Sequence, residues 1–219
     1  MIDLFPLYLT LKVSIVATFF SIIIGLCLAW FMARKEFVGK GFLDALIMQP
    51  LVIPPTVLGY YLLVLLGRSS VFGRFLEDVL GITLVFTWKG AVIAAFVASM
   101  PLFVRPARAA IEGVDKNFEN AARLLGKNEW EVLKTITIPL AWRGILAGSV
   151  MAFARATGEF GATLMVAGNI PGMTQTLPIA IYDAVQMGNT GLANLMVGII
   201  TLFSFSVIYF VNRFTKGRY

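Results

Sequence analysis

Residues 115–139 read DKNFENAARLLGKNEWEVLKTITIP, a polar segment between two long apolar stretches of this 219-residue chain. Asp115 or Asn117 can cap a helix here, because short polar side chains accept hydrogen bonds from the free N–H groups of a first turn. Gly126 can end that helix, since glycine adopts the left-handed conformation readily. The apolar residues in between recur at helical spacing, namely Phe118, Ala121, Ala122 and Leu125. The first half of the segment therefore predicts a short helix with a narrow apolar stripe.

The second half of the segment predicts another helix. Asn128 and Glu131 match the capping-box pattern, in which each side chain accepts from the other residue's backbone N–H. Pro139 is expected to end this helix, because a proline biases the residue before it, Ile138, toward an extended backbone. The whole segment is thus interpreted as two short helices that meet at a glycine.

The composition of the chain is typical of a polytopic membrane protein. Hydrophobic residues make up 58% of it and charged residues 14%, with a mean hydropathy of +0.84. Soluble domains average about 25% charged residues, so an unusually apolar soluble protein is the weaker interpretation. The net charge of +6 could suit nucleic acid or anionic lipid. In a membrane protein the position of each charge matters more than the sum, and no nucleic-acid partner is predicted.

Five segments are long and apolar enough to cross a bilayer, which takes about 20 residues. They are residues 13–33, 45–67, 88–104, 144–166 and 192–211, the second of them interrupted by Pro50, Pro54 and Pro55. Residues 176–187 are too short to cross and are interpreted as a helix partly inserted from one side. The expected fold class is all-α: one transmembrane domain over residues 1–219, with about five spans, the short inserted helix and a two-helix loop at 115–139.

Basic residues predict the orientation, because they concentrate in cytoplasmic loops. Thirteen lysines and arginines fall on the side of the two-helix loop and four on the other, with Arg155 inside a span. The loop and the C-terminus, which carries Arg213, Lys216 and Arg218, are therefore expected in the cytoplasm and the N-terminus outside. The loop is interpreted either as an amphipathic segment on the membrane surface or as a docking surface for a cytoplasmic partner. The small residues in its stripe favour docking.

The run ENAARLLG at residues 119–126, followed by ITIP at 136–139, resembles the signature loop of binding-protein-dependent ABC importer permeases. Asn120 stands where that family has glutamate, with Glu119 one residue earlier, and Ile138 replaces leucine. The resemblance implies that the loop docks on an ATP-binding subunit and transmits its closure to the spans. The implied coupling residues are Phe118, Glu119, Asn120, Ala121, Ala122, Leu125, Gly126, Ile136 and Pro139.

Further stretches resemble the molybdate permeases within that family. They are PLVIPPTVLGY at 50–60, GEFGAT at 158–163, GNIPG at 168–172 and TQT at 174–176. The resemblance implies import of a tetrahedral oxyanion, either molybdate or tungstate, which are too similar in size and charge to separate. A sulfate or thiosulfate permease is the nearest alternative. A secondary anion transporter ranks below it, and a membrane-embedded enzyme ranks last.

Arg155 and Glu159 are the charges in the middle of a predicted span, four residues apart on one helix face. Intramembrane charges are costly and normally face the bundle interior or a water-filled path. They are interpreted either as a structural ion pair or as a pathway element, in which Arg155 eases passage of a divalent oxyanion and Glu159 limits how tightly it is held. The candidate pathway residues are Arg155, Gly158, Glu159, Gly161 and Thr163. A nearby row of small residues predicts a close helix contact within the chain or between two copies: Gly144, Gly148 and Ala152.

The chain is expected to be a transport subunit rather than an enzyme, with no cofactor or metal of its own. It contains no Gly-x-x-x-x-Gly-Lys-Ser/Thr motif for ATP phosphates, no histidine, and Cys27 as its single cysteine. The resemblance implies a bacterial or archaeal cytoplasmic membrane as its location. The implied partners are a second copy of the chain, two ATP-binding subunits that hold ATP and Mg²⁺, an external oxyanion-binding protein and the lipid bilayer.

Overall fold

A computed structural model describes the backbone of residues 3–215 and the side chains of residues 3–207 and of Tyr209. Lys216 and Arg218, which entered the orientation prediction, lie outside the described residues, as does the side chain of Arg213. The described residues form helices and no strand, which confirms the all-α fold class. The helices are α1 (Phe5–Arg34), α2 (Lys40–Val52), α3 (Pro55–Leu66), α4 (Val71–Asp78), α5 (Trp88–Glu112), α6 (Lys116–Leu124), α7 (Glu129–Val132), a π-helix (Leu133–Thr137), α8 (Ile138–Thr157), α9 (Gly161–Ala167), α10 (Leu177–Gln186) and α11 (Thr190–Thr215).

Four helical stretches within the described residues are long and apolar enough to cross a membrane. They are α1, α5, the continuous helix Glu129–Thr157 and the part Thr190–Val207 of α11. Helices α2 and α3 together form a further candidate that is bent by 115°. The predicted number of about five spans therefore holds when the bent pair counts as one. The predicted short helix at 176–187 is α10, whose 10 residues extend roughly 15 Å and do not reach across a bilayer.

The second predicted span, residues 45–67, is interrupted at Pro54 and Pro55 as predicted, but not at Pro50. The backbone is extended at Ile53, with φ −75° and ψ 146°, and at Pro54, with φ −56° and ψ 139°. Pro54 and Pro55 each disfavour helical geometry in the residue before them, and the two together break the helix. Pro50 remains inside α2.

The fourth predicted span, residues 144–166, is interrupted as well. Helix α8 ends at Thr157, residues 158–160 are not helical, and α9 begins at Gly161. The hydropathy pattern does not register this break, because the residues on both sides of it are apolar. Glu159 therefore lies beyond the helix that carries Arg155, and not on the same helix as predicted.

Pro139 does not end the second loop helix, contrary to the expectation from the sequence. Helix α7 continues through the π-helix into α8, and Ile138 has the helical values φ −62° and ψ −48°. The N–H of Ile138 donates to the carbonyl of Leu133, five residues earlier, as a π-helix requires. Pro139 then occupies the first turn of α8, where proline is tolerated.

Helix α5 is the centre of the bundle and packs against both α1 and α8. Its buried face consists largely of small residues, which let the neighbouring backbones approach closely: Ala91, Ala94, Ala95, Ala98 and Ala107. The row of small residues on α8 contacts this helix, since a Cβ added at Gly148 would lie 2.8 Å from the carbonyl oxygen of Phe103. The predicted close contact therefore lies within the chain.

Candidate functional site

The two-helix loop forms as its capping signals predict. The Asp115 carboxylate accepts from the N–H of Asn117 at 2.9 Å and starts α6. The helix ends at Leu124, and Gly126 turns the chain with φ +83°, in the left-handed region that glycine favours. Both bonds of the capping box form at the start of α7, at 2.9 Å from the Glu131 N–H to Asn128 and 3.0 Å from the Asn128 N–H to Glu131.

Glu119 points inward from α6 and is only 2% exposed. Its Oε1 accepts from Arg34 at the end of α1, with Nε at 3.1 Å and Nη2 at 2.7 Å. The same oxygen accepts from the hydroxyl of Thr137 in the π-helix at 2.7 Å. Arg34 also donates to the carbonyl of Val114 at 3.3 Å. One buried carboxylate therefore joins α6 to the first span and to the base of α8.

The outward face of the loop is apolar. Phe118 is 58% exposed and Leu125 83%, whereas Ala122 is buried. Leu124, which the sequence reasoning did not select, is 88% exposed. The remaining predicted coupling residues divide between exposed positions, namely Asn120, Ala121, Gly126 and Pro139, and the half-buried Ile136. The structure thus separates an exposed group from two inward-facing residues, Glu119 and Ala122.

Arg123 and Glu129 hold the two loop helices together across the glycine turn. Arg123 donates to Glu129 from Nε at 2.6 Å and from Nη2 at 3.1 Å, and to the Asn120 side chain at 2.8 Å. The hydrogen bond to Glu129 raises the pKa of the Arg123 guanidinium above its ordinary value. This pair bridges α6 and α7 beside the exposed apolar residues.

Arg155 and Glu159 form the predicted ion pair, with 2.6 Å between Nη1 and Oε2. The other carboxylate oxygen of Glu159 accepts from the N–H of Ala162 at 2.8 Å and so caps α9. Glu159 is buried and bridges the break between α8 and α9, which supports its structural interpretation. The side chain of Arg155 is 27% exposed, and no other hydrogen bond or ion pair joins it to a described residue.

The breaks in the two interrupted spans lie next to each other. A Cβ added at Gly161, the first residue of α9, would lie 2.9 Å from Cβ of Pro55, the first residue of α3. A Cβ added at Gly59 in α3 would likewise be too close to α9, at 2.8 Å from Cα of Ala162. Glycine at 161 and 59 is therefore required for α3 and α9 to cross.

The other two candidate pathway residues lie beside this crossing. Gly158 is exposed at the end of α8. Thr163 is fully buried, and its hydroxyl has no hydrogen-bond partner among the described residues. No group of three histidine, cysteine, aspartate or glutamate residues in the described part of the chain could hold a metal ion. The site thus consists of a helix crossing and an ion pair beside it.

The chain is similar in sequence to known membrane transport proteins. The family model described as "Binding-protein-dependent transport system inner membrane component" matches residues 21–218. The molybdenum transport system permease protein ModB of Escherichia coli (strain K12) is 49% identical over 202 residues, covering 91% of this chain and 88% of that protein. The sulfate transport system permease protein CysW of Synechococcus elongatus is 36% identical over 197 residues, covering 89% and 68%.

The fold of the chain is also similar to that of a solved structure. It is the crystal structure of a bacterial ABC transporter involved in the import of the acidic polysaccharide alginate. It aligns over 97% of this chain and 78% of its own, with a TM-score of 0.77 at 14% identity. The chain belongs to the family of binding-protein-dependent transport system inner membrane components.

Proposed function

We propose that this chain is the permease of an ABC importer that carries molybdate, or the closely similar tungstate, into the cell. The observation that carries the proposal is the likeness to the E. coli molybdenum permease, at 49% identity over 91% of this chain. The sulfate permease of S. elongatus is 36% identical, which makes sulfate the second candidate substrate.

The crossing of α3 and α9 supports a translocation pathway at this place. Broken helices at membrane depth are tolerated where they are buried in protein or line a water-filled cavity, and transporters use them at substrate sites. Arg155 lies one turn before the break in α8, and its Nη1 forms the ion pair with Glu159. Its remaining N–H groups are free for an oxyanion, since a guanidinium offers five donors in a planar fork.

The exposed face of the two-helix loop supports docking on an ATP-binding subunit. Phe118, Leu124 and Leu125 present large apolar side chains beside the small, exposed Ala121. Such a patch on a preformed loop fits a groove on a partner protein. In this assignment the partner binds ATP and Mg²⁺, and its closure moves α6 and, through Glu119, the ends of α1 and α8.

The complete importer then contains two copies of this permease, two ATP-binding subunits and an external oxyanion-binding protein. The distribution of basic residues supports a cytoplasmic loop and an external N-terminus. The N-terminus of α10 and the turn before it would face the external binding protein. Selectivity for the oxyanion would rest mainly with that protein.

Uptake by the reconstituted complex tests the proposal. The permease is inserted in proteoliposomes with its ATP-binding subunit and binding protein, and uptake of labelled molybdate is measured with and without ATP. We expect uptake that requires ATP and is inhibited by tungstate but much less by sulfate. Equal competition by sulfate would replace the proposed substrate, and uptake that persists without ATP would indicate a secondary anion transporter.

A further inference from the structure

A cationic pocket lies between the end of α1 and the two-helix loop. It has a volume of about 220 Å³ and is lined by four basic side chains, Arg34, Lys35, Lys116 and Arg123, together with two carboxylates and Trp30. The carboxylate of Glu119 is paired with Arg34, and that of Glu129 with Arg123. The ammonium groups of Lys35 and Lys116 have no ion pair or hydrogen bond with any described residue. The pocket therefore carries two uncompensated positive charges.

An apolar groove continues from this pocket along α1. It has a volume of about 730 Å³ and lies between α1 and the helix that runs from α7 into α8. Its lining is apolar apart from Glu129 and includes Ile22, Leu26, Cys27, Phe31, Trp130 and Leu133. Trp30 and Glu129 line both cavities, so the charged pocket and the groove meet at these two residues.

The order of these features along α1 matches that of a phospholipid. The groove lies beside the apolar C-terminal half of α1, from Ile22 to Phe31, and the cations lie at and beyond its last residue, Arg34. Tryptophan side chains such as Trp30 and Trp130 favour the level of the lipid head groups. The end of α1 with Arg34 and Lys35 falls on the side of the chain that the basic residues assign to the cytoplasm. The leaflet on that side carries the anionic lipids, and basic pockets between transmembrane helices bind their head groups.

We propose that this composite site binds one anionic phospholipid of the cytoplasmic leaflet, with its phosphate between Lys35 and Lys116 and an acyl chain in the groove along α1. A free oxyanion would fill the pocket but leave the groove empty. An acidic segment of a protein partner would likewise gain nothing from the apolar lining. The bound lipid would contact α1, α6 and α7 together and so connect the two-helix loop to the first span. The proposal does not depend on which ion the permease carries.

Lipid binding to the purified full-length permease tests the site directly. The affinity for phosphatidylglycerol and for phosphatidylcholine is measured by native mass spectrometry after release from detergent micelles. The wild type is expected to prefer phosphatidylglycerol. The double substitution Lys35→Gln and Lys116→Gln should lower that affinity by roughly fivefold for each lysine, because a basic residue near an anionic membrane contributes about this much.

Two further variants separate the parts of the site. Cys27→Trp fills the groove with every charge intact, and we expect it to weaken phosphatidylglycerol binding. Arg74→Gln with Lys89→Gln removes the same charge at exposed positions on the opposite side of the predicted membrane and should leave binding unchanged. Millimolar inorganic phosphate should not displace the lipid.

Several results would overturn the proposal. Equal affinity for the two lipids, or wild-type affinity in the double lysine variant, would show that the pocket does not select an anionic lipid. Displacement by inorganic phosphate would indicate a site for a free anion. Unchanged lipid binding with weakened association of the ATP-binding subunit would assign the lysines to a protein partner. None of these measurements uses transport, so a failure of the proposed function leaves the lipid test intact.

Discussion

Glu119 is the residue on which the geometry of the loop depends most directly. A buried carboxylate loses its hydration, and it is stable here because Arg34 and Thr137 supply donors at 2.7 Å. Removing one partner of a buried ion pair leaves the other charge uncompensated, which costs more than the pair itself contributes. Arg34 has a side chain only 9% exposed, so its charge cannot simply return to water.

We therefore expect Glu119→Gln to lower the melting temperature of the permease by an amount equivalent to about 1–3 kcal/mol. The amide keeps an oxygen that can accept from Thr137, but it removes the charge that neutralises Arg34. Thermal unfolding in detergent measures the effect. The matched control is Glu36→Gln, which removes a carboxylate paired with Lys40 at 2.7 Å on the exposed first loop. The control should melt as the wild type does, and equal melting of both variants would contradict a structural role for Glu119.

Arg155 is the residue through which the two interpretations of the intramembrane ion pair can be separated. Arg155→Ala should lower molybdate uptake by about tenfold or more, which corresponds to a rise of about 1.4 kcal/mol in the activation barrier. The amount of assembled complex, measured by copurification, should change less than uptake does. Arg155→Lys keeps the charge and should retain part of the activity.

Arg68→Ala is the control for this substitution. It also removes an arginine from an ion pair, with Glu77 at 2.8 Å, but its side chain is 74% exposed. We expect it to transport normally, because exposed ion pairs contribute little. Normal uptake by fully assembled Arg155→Ala complex would leave the ion pair with a structural role only.

At the scale of the helices, the contact between α5 and α8 depends on two glycines. A Cβ at Gly148 would lie 2.8 Å from the Phe103 carbonyl oxygen and 3.1 Å from Cγ of Pro106. At Gly144 it would collide with Cβ of Ala110. Backbone atoms cannot move aside as a flexible side chain can, so the two helices would have to separate.

Gly148→Ala is therefore expected to destabilise the permease by about 1–3 kcal/mol, the usual effect of overpacking a core. The control is Gly198→Ala in α11, where nothing lies within 4 Å of the added Cβ. There the change should be neutral or slightly stabilising, because alanine favours the helix. Thermal unfolding in detergent measures the change in melting temperature of each variant relative to the wild type. A loss that is equal at both positions would mean that crowding between α5 and α8 is not the cause.

The helices also show which features could be predicted from the sequence and which could not. The caps at Asp115 and Asn128 and the turn at Gly126 were predictable, since each is decided by residues within a few positions along the chain. The partner of Glu119 was not, because Arg34 is 85 residues away and only packing brings the two together. The break at Glu159 was missed because the capping bond to Ala162 lies inside an apolar run.

At the scale of the whole molecule, orientation links the separate sites. The exposed face of the two-helix loop lies on the same side of the bundle as the cationic pocket and the groove beside α1, and the N-terminus of α1 lies on the other side. If the basic residues set the topology, the side with the loop is cytoplasmic. The proposed docking on an ATP-binding subunit and the proposed lipid site both require this orientation.

The orientation of the chain in the membrane is measured by labelling single cysteines in intact cells. Cys27 is the only cysteine, so Cys27→Ser gives a background without thiols. In that background Val38→Cys places a thiol in the loop between α1 and α2, and Met173→Cys places one in the turn before α10. Both native residues are exposed. A membrane-impermeant maleimide should label position 173 in intact cells and position 38 only after the membrane is permeabilised. The reverse pattern would place the loop outside, where no ATP-binding subunit could reach Phe118 and Leu125, and the importer assignment would fail with it.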